Sequence, residues 1–326
     1  LKLPFGIAQI GKAFRNEIAP RHFLFRSREF EQMEIEYFVH PEKRDDCPFI
    51  KEILSDEIII YSVRMQEKDE KPKKMKISDA LNKKIIKNPW HAYWLALEYR
   101  WFVSFGTSAD HFRIRQHMKD ELSHYSTDTW DLEYQFPFGW RELLGVADRG
   151  DYDLKQHMKY SQKDLSLFDE ETKKKILPYV IAEPSLGLDR AFLVFMFDAY
   201  YYDKERKNVV LKLHPKLTPF KVAVFPLLSN RPELVKKSKE IFDLLKEDLH
   251  CFYDESGSIG RRYYRGDEIG TLFSVTLDFD SLEKNDATIR DRDSQKQIRV
   301  LIKDLKDILK RLLEGEKLST FGRFIN

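Results

Sequence analysis

The stretch from Gln32 to Val39 alternates polar and apolar side chains, and this period constrains the fold more than any other feature of the sequence. One face would carry Gln32, Glu34 and Glu36, and the other Met33, Ile35, Tyr37 and Val39. A period of two is typical of a strand with one buried face. The pattern therefore predicts a sheet whose polar face carries a row of carboxylates.

A second strand is predicted just upstream, with Pro20 marking the turn between the two. Its two faces would carry Gln9, Arg15 and Glu17 on one side and Ile10, Phe14, Asn16 and Ile18 on the other. The connection is basic, because Arg15, Arg21, Arg26 and Arg28 crowd into it. We therefore expect an antiparallel hairpin with an arginine-rich loop.

The chain has 326 residues, enough for two domains. Residues 69–88 are rich in lysine with few apolar residues, which favours an exposed helical insertion. The lysines are better interpreted as a solvated face than as a nucleic-acid-binding patch. The aromatic run 90–105 predicts a packed helix. The run 177–184 predicts a buried strand ending at Pro184, and 187–202 an apolar helix.

Beyond Pro215 short apolar runs alternate with helical patterns, which predicts a small α/β domain over 217–326. Within it, 232–249 and 295–313 are expected to be helices. Twenty Lys and Arg residues oppose nineteen Asp and Glu residues in this region, so composition gives no general phosphate-binding surface.

Several classes of protein are disfavoured. No run approaches the roughly 18 apolar residues that span a bilayer, and no basic-then-apolar leader opens the sequence, so we expect a cytoplasmic protein with no membrane partner. Cys47 and Cys251 are the only cysteines, and no CxxC pair or HxH spacing predicts zinc. Neither a Walker-type GxxxxGK[ST] nor a GxGxxG phosphate loop is present.

The arginines point to a polyanionic ligand such as a nucleoside triphosphate. Buried charges cost several kcal/mol unless they meet partners, and a guanidinium group holds phosphate oxygens through two parallel hydrogen bonds. A second segment, "EPSLGLDR", places Glu183 and Ser185 before a helix whose first turn carries Arg190. The simpler alternative, a cross-strand ion pair between Arg15 and Glu17, stays open.

These segments carry a family resemblance. "FRNEIAPRHFLFRSREFEQMEIEYF" resembles the second signature of class II aminoacyl-tRNA synthetases and "EPSLGLDRAFLVF" the third, both in the form found in dimeric glycyl-tRNA synthetases. "ELLGVADRGDYDL", "GSIGRRYYRGDEIGTLFSVTLDFD" and "TIRDRDSQKQIRV" support the narrower match. The resemblance covers nearly the whole chain, apart from an insertion near 50–90. The family's first signature is missing and would precede residue 1, so the chain resembles the C-terminal part of a longer enzyme.

The fold implied by the resemblance is α+β. Residues 1–216 would form the class II catalytic domain, an antiparallel sheet with flanking helices, and residues 217–326 a smaller α/β anticodon-binding domain with a mixed sheet.

The resemblance also implies site residues. Arg15 and Arg190 would be catalytic, and Glu142 would meet Mg²⁺ that arrives with ATP, with no zinc. The ATP-binding residues would be Arg15, Asn16, Glu17, Phe25, Arg26, Phe30, Glu142, Leu143, Gly187 and Arg190. Glycine would be held by Glu34, Arg149, Glu183 and Ser185. The anticodon would meet Arg261, Arg262, Tyr263 and Arg265, although a structural ion-pair cluster is nearly as good an interpretation of these four. Glu36 is interpreted as a solvated strand glutamate.

The implied activity is ligation of glycine to tRNA(Gly) through glycyl-adenylate, by a homodimer in the full-length protein. Its partners would be ATP, glycine and tRNA(Gly). One alternative is a non-catalytic synthetase-like protein that keeps the fold to bind nucleic acid or a partner, and degraded signatures would favour it. Another is synthesis of dinucleoside polyphosphates as a side activity of the same site.

Overall fold

The computed structural model describes residues 2–123 and 126–325. They fold into two compact units that divide between residues 197 and 198, here called unit 1 and unit 2. The predicted domain boundary between residues 216 and 217 stays a prediction.

Unit 1 contains ten strands and five α-helices in its described residues. Its strands are β1 Phe5–Phe14, β2 Glu29–Val39, β3 Glu57–Tyr61, β4 Lys73–Lys76, β5 Phe112–Gln116, β6 Asp128–Phe136, β7 Gly139–Asp148, β8 Leu167–Asp169, β9 Lys174–Ile176 and β10 Tyr179–Gly187. Its helices are α1 Val63–Glu67, α2 Ile77–Asn82, α3 Pro89–Ser104, α4 Tyr152–Ser161 and α5 Leu188–Ala199.

Within the described part of unit 1, eight strands form one sheet in the order β1-β2-β10-β7-β6-β5-β3-β4. Every pairing is antiparallel except that of β3 with β5, which confirms the predicted antiparallel sheet. The helix α3 packs on one face, where Trp90, Leu95 and Phe102 are buried with apolar residues of the strands. Because α3 covers that face, the polar side chains of β2, β7 and β10 on the opposite face are left for a ligand.

The prediction of an exposed helical insertion near 69–88 is confirmed only in part: α2 is a helix, but 73–76 form the strand β4 and several apolar side chains are buried. β4 lies at one edge of the large sheet, paired with β3. Ile77, Ala80 and Ile86 are fully buried in the core. Ile77, Ala80 and Leu81 recur at the helical spacing i, i+3 and i+4, but this apolar stripe is short and is surrounded by lysines that suggest exposure.

The predicted hairpin forms, but β1 ends at Phe14, so Arg15 and Glu17 lie in the loop instead of on a strand face. The predicted helix 187–202 is α5, which stops at Ala199. β1 is the outermost strand of the sheet and pairs on one side only within the described chain. Its side chains Ile7, Ile10 and Phe14 are 56%, 73% and 72% exposed.

Unit 2 contains a second large sheet, which mixes parallel and antiparallel pairs. Its strands are β11 Tyr200–Asp203, β12 Asn208–Leu211, β13 Val222–Pro226, β14 Cys251–Tyr253, β15 Phe273–Leu277, β16 Asp286–Asp291, β17 Gln297–Leu301 and β18 Phe324–Ile325. Its helices are α6 Pro232–Lys246, α7 Ile259–Glu268, α8 Phe279–Lys284 and α9 Ile302–Leu313.

The larger sheet of unit 2 runs β14-β13-β15-β16-β17-β18. β13 is parallel to β14 and β15, and the remaining pairs are antiparallel, so the predicted mixed α/β sheet is confirmed. The prediction of one helix over 295–313 was wrong in its first third, because β17 pairs with β16 there before α9 begins. No helix in the described ranges is long and apolar enough to cross a membrane.

Candidate active site

The arginine loop between β1 and β2 is fastened at its base. The amide of Arg15 donates to the carbonyl of Arg28 at 3.0 Å, which extends the ladder beyond the last strand pair. The Arg28 side chain donates from Nε to the carbonyl of Glu17 at 2.9 Å. Arg28 is therefore used to hold the loop, which leaves Arg15 available to a ligand.

The tip of the loop is anchored by an aromatic side chain. Phe25 lies edge-on to Phe136 and Phe138, with ring centroids 5.4 and 5.9 Å away. The amide of Arg21 donates to the carbonyl of Arg26 at 3.1 Å, which closes the tip. The packing of Phe25 therefore fixes the backbone position of Arg26, whose own side chain is exposed.

A single cleft gathers most of the predicted ATP-binding residues. It is lined by Arg15, Glu17, Leu24, Phe25, Arg26, Ser27, Phe30, Glu31, Gln32, Glu142, Leu143, Ser185, Gly187, Asp189 and Arg190. Asn16 lies between two lining residues in the sequence but does not line the cleft itself. The side chain of Leu143 is fully buried, so only its backbone can meet a ligand there. Sequence segments more than 150 residues apart therefore meet at one place.

Two cleft arginines lie over aromatic rings. The guanidinium carbon of Arg15 is 5.3 Å from the ring centre of Phe30, and that of Arg190 is 5.4 Å from the ring centre of Phe25. Arg190 also donates to the carbonyls of Phe25 at 3.0 Å and Glu142 at 3.1 Å. These contacts fix planar cations in position, a geometry that suits both phosphate oxygens and a flat base.

Glu142 faces the cleft at its solvent side. Its carboxylate oxygen lies 3.2 Å from Nη1 of Arg190, and its side chain is 49% exposed. In the described ranges no group of three or more His, Cys, Asp or Glu residues is placed to hold a metal ion. Glu142 fits the predicted role of one oxygen ligand to a magnesium ion whose other ligands come from triphosphate and water.

The predicted glycine-binding residues lie beside this cleft, on β2 and β10 and directly after β7. In the sheet Ser185 is opposite Glu34 on one side and Gly145 on the other. Ser185 accepts a hydrogen bond from Nε2 of Gln32 at 2.5 Å. Arg149 forms an ion pair with Glu183 and another with Asp153 at 2.8 Å. All four predicted residues therefore come together, with both signs of charge.

Burial changes the acidity of this pocket. Burial, together with a hydrogen bond to Glu34 and repulsion from neighbouring glutamates, raises the pKa of Glu183 to about 8, although Arg149 opposes the shift. Burial also raises the pKa of Glu36, again against Arg149. Low solvent exposure disfavours a charged carboxylate, and close carboxylates disfavour it further.

Glu36 is a residue that sequence reasoning missed. It is half-buried and lies across the strand pair from Glu183, so it does not behave as a solvated strand glutamate. Its place two residues after Glu34 on the same face of β2 was the available signal. Asp153, the second partner of Arg149, lies on α4 and had no signal in the sequence.

A second missed group lies further along the same sheet face. Asp131 is opposite Gly145, and its Oδ1 would lie 3.4 Å from a Cβ at that glycine. Its Oδ2 is 2.7 Å from Nε2 of His117. Burial raises the pKa of Asp131 to about 6 despite this bond. The absence of a side chain at Gly145 gives Asp131 room beside the pocket.

The four predicted anticodon residues lie on α7 in unit 2, in contrasting environments. Arg262 is 1% exposed and donates to the carbonyls of Pro226 and Leu227, so a role for its side chain in contacting a base is corrected to a structural one. The Tyr263 hydroxyl is 2.8 Å from Oγ1 of Thr276. Arg265 pairs with Asp254. Arg261 is exposed and keeps the predicted role as a prediction.

Residues 221–312 match the protein family described as "Anticodon binding domain". This range covers all but the first strands and the last residues of unit 2.

Curated relatives match a longer part of the chain. Glycine–tRNA ligase of Clostridium tetani is 45% identical over 96% of this chain and 58% of its own length. The enzyme of that name from Ruminiclostridium cellulolyticum is 44% identical over 93% of this chain and 56% of its own length. That from Thermobifida fusca is 42% identical, with 96% and 60% covered. The chain thus spans a little under three fifths of the length of the relatives it matches.

Proposed function

We propose that this chain, which is similar to glycine–tRNA ligases along almost its whole length, belongs to that family and carries the ATP site and much of the glycine site of such an enzyme. The reaction would be activation of glycine by ATP, followed by transfer of the glycyl group to tRNA(Gly). Mg²⁺ would arrive with ATP and be met by Glu142.

Activation places a carboxylate next to a phosphate, and the site has charges suited to both. A carboxylate oxygen of glycine attacks the α-phosphorus of ATP, forming glycyl-adenylate and releasing pyrophosphate. Arg15 would neutralise charge on the α-phosphate, while Arg26 and Arg190 hold the outer phosphates. Electrostatic stabilisation of developing charge is the main contribution expected of such groups.

The pocket on β2 and β10 would bind glycine as a zwitterion. The carboxylates of Glu34 and Glu183 face the ammonium group, and Arg149 faces the carboxylate. Transfer follows when the 3′-terminal ribose hydroxyl of tRNA attacks the carbonyl carbon and AMP leaves. The contribution of the protein would be positioning of the reactants.

The observation that carries the proposal is the convergence of Arg15, Arg26 and Arg190 on one cleft that adjoins the Glu34 and Glu183 pocket. Gln32 and Ser185 line the cleft, and Glu34 and Glu183 lie two residues further along the same two strands. A phosphate site beside an ammonium site would match the two substrates of the first step. A binding protein without catalysis has no need of this adjacency.

Glycine-dependent exchange of pyrophosphate into ATP tests the proposal, with the full-length protein that contains this chain. The variant Arg15→Ala should lose exchange by about 100-fold or more, the loss seen when one transition-state donor is removed. Arg21→Ala is the matched control, because Arg21 is an exposed arginine of the same loop that does not line the cleft. Near-normal exchange in Arg15→Ala would refute the role assigned to Arg15.

The wider setting is part of the same proposal. Unit 2 would bind the anticodon arm of tRNA(Gly), the full-length protein would be a homodimer, and its place would be the cytoplasm. Sedimentation of the full-length protein with and without tRNA(Gly) tests the first two points. Binding of tRNA without any binding of ATP or glycine would favour the non-catalytic alternative.

A further inference from the structure

Three carboxyl groups meet on one face of the sheet in unit 1. On β10, Ala182 is opposite Tyr37 of β2 and Ser185 is opposite Glu34, so Glu183 lies across from Glu36 and diagonally from Glu34. Among the described residues, the other charged groups that face this cluster are Arg149, just after β7, and Asp153 of α4. The described part of the cluster thus contains four carboxyl groups and one guanidinium group, and that guanidinium pairs with both Glu183 and Asp153.

Hydrogen bonds between carboxyl groups have a strict requirement. An ionised carboxylate can only accept, so two carboxyl groups can be hydrogen-bonded only when one of them keeps its proton. Close carboxylates in a poorly solvated place hold such a proton because two like charges there repel. The half-buried position of Glu36 and the burial of Glu183 provide that environment.

We propose that Glu36 and Glu183 share one proton in the ligand-free site, and that the ammonium group of the amino-acid substrate displaces this proton when it binds. Glu36 is a positioning residue that acts through Glu183. This inference rests on the proposed function, because that function supplies the ammonium ligand.

The exchange has a clear electrostatic basis. The proton cancels one negative charge of the cluster, and the ammonium group brings an equivalent positive charge with three donors of its own. A neutral ligand cannot replace the proton, so the cluster distinguishes an ammonium group from a hydroxyl group of similar size. Binding then depends on pH: below the raised pKa of Glu183, about 8, apparent affinity should fall by up to about tenfold per pH unit.

Infrared difference spectroscopy of the ligand-free chain tests the first half of the proposal. The spectrum at pH 7 should contain the C=O band of a protonated carboxyl that is missing in Glu183→Gln. The variant is needed for subtraction because burial also raises the pKa of Glu98 to about 7. Glu57→Gln, an exposed glutamate on β3, is the matched control and should leave the band unchanged. A spectrum of Glu183→Gln identical to that of the parent chain overturns the shared proton.

The second half is tested by adding ligands to the full-length protein that contains this chain. Glycine should remove the band, whereas glycolate, which has a hydroxyl in place of the ammonium group, should leave it. Titration calorimetry of the full-length protein at pH 7, in two buffers of different ionisation enthalpy, should give close to one proton released per glycine. In Glu36→Gln the amide can donate to Glu183 in place of the proton, so release should fall clearly while glycine still binds. Unchanged release in Glu36→Gln overturns the role of Glu36.

The two proposals fail in different ways. If glycine does not bind at all, the proposed function is contradicted, and the infrared band still decides whether the carboxyl groups share a proton. If glycine binds with no proton release between pH 6 and 8, the displacement is contradicted and the proposed function stands.

Discussion

In unit 1 the side chains of Arg15 and Arg26 are exposed beside a cleft, whereas in unit 2 Arg206 and Arg290 are about 5% exposed and both bind Asp267. The cleft arginines lie near backbone carbonyls, aromatic rings and one half-exposed carboxylate. The buried arginines have their charge neutralised inside the protein.

The difference shows that arginine density in the sequence does not by itself identify a ligand site. "RRYYR" in unit 2 and the loop of unit 1 have similar composition, yet Arg262 is buried and bonded to two carbonyls. The cleft differs because the guanidinium groups of Arg15 and Arg26 are exposed there, so their N–H groups can donate hydrogen bonds to a ligand. Substitution of the buried arginines of unit 2 should therefore reduce stability, and substitution of the cleft arginines of unit 1 should reduce ligand binding.

The largest effect is expected for Asp267→Asn. This change leaves Arg206 and Arg290 buried without their shared countercharge, and breaking such a buried pair costs about 3–5 kcal/mol of unfolding free energy. Urea titration followed by circular dichroism measures the loss. All five tryptophans, at positions 90, 94, 101, 130 and 140, lie in unit 1, so fluorescence should report little change.

Asp243→Asn provides the control for that measurement. Asp243 pairs with Lys246 on the exposed surface of α6, and exposed pairs contribute about 0–1 kcal/mol. Equal losses in the two variants would show that burial does not distinguish the arginines of unit 2.

Arg190→Lys should weaken ATP binding by roughly 10- to 100-fold, because hydrogen bonds to charged groups are worth about 1.5–3 kcal/mol and lysine keeps the charge without the planar fork. Stability should change by no more than about 1 kcal/mol, the value of ordinary hydrogen bonds such as those to Phe25 and Glu142. Equilibrium binding of ATP and thermal unfolding measure the two quantities. Unchanged ATP affinity would remove Arg190 from the cleft's phosphate-binding set.

A pH effect of intermediate size is expected in unit 2. Burial alone would raise the pKa of Asp278, but hydrogen bonds from Arg299 and from the start of α8 outweigh it and lower that pKa. The stabilisation is complete above the unfolded pKa, near 3.9, and is lost as pH falls through the lower folded value. Asp278→Ala should remove this acid dependence and about 0.5–2 kcal/mol of stability at pH 7, as loss of a helix cap does.

Acid titrations of the parent chain and of Asp278→Ala, both followed by circular dichroism, test this point. Parallel curves below pH 4 would contradict it.

The smallest effect on stability is expected for Arg261→Ala, within about 0.5 kcal/mol, because the side chain is exposed. If Arg261 contacts tRNA, the variant should bind it more weakly and with a shallower salt dependence. Its neighbour in sequence, Arg262→Ala, should lower stability instead. A reversal of these two outcomes would overturn the distinction between exposed and buried arginines on α7.

Sequence reasoning succeeded where a period was complete. The alternation in β2 and the aromatic run in α3 each repeat over several periods, so both elements were predictable from the sequence. The start of the 295–313 segment carries the β-branched residues Ile298 and Val300 two positions apart, and pairing with β16 makes it a strand, but the strong helical period that follows favoured a helix throughout. That pairing depends on residues of the neighbouring strand, which a propensity calculated from the local sequence does not include.

The candidate site was predictable in part for a related reason. Family resemblance assigned residues, and the fold brings Arg15 and Arg190 to one cleft. Glu36 and Asp131 were missed because their importance comes from burial and from neighbours on other strands. A sequence window cannot contain those neighbours.

The outer border of β1 has a practical consequence for the isolated chain. No strand of the described ranges pairs with its outer edge, so the amide and carbonyl groups there are a template for a further strand, and Ile7, Ile10 and Phe14 add exposed apolar surface. Copies that meet there can join edge to edge, so a preparation should lose monomer as it is concentrated. Ile10→Lys would set like charges against each other at this border and keep the copies apart.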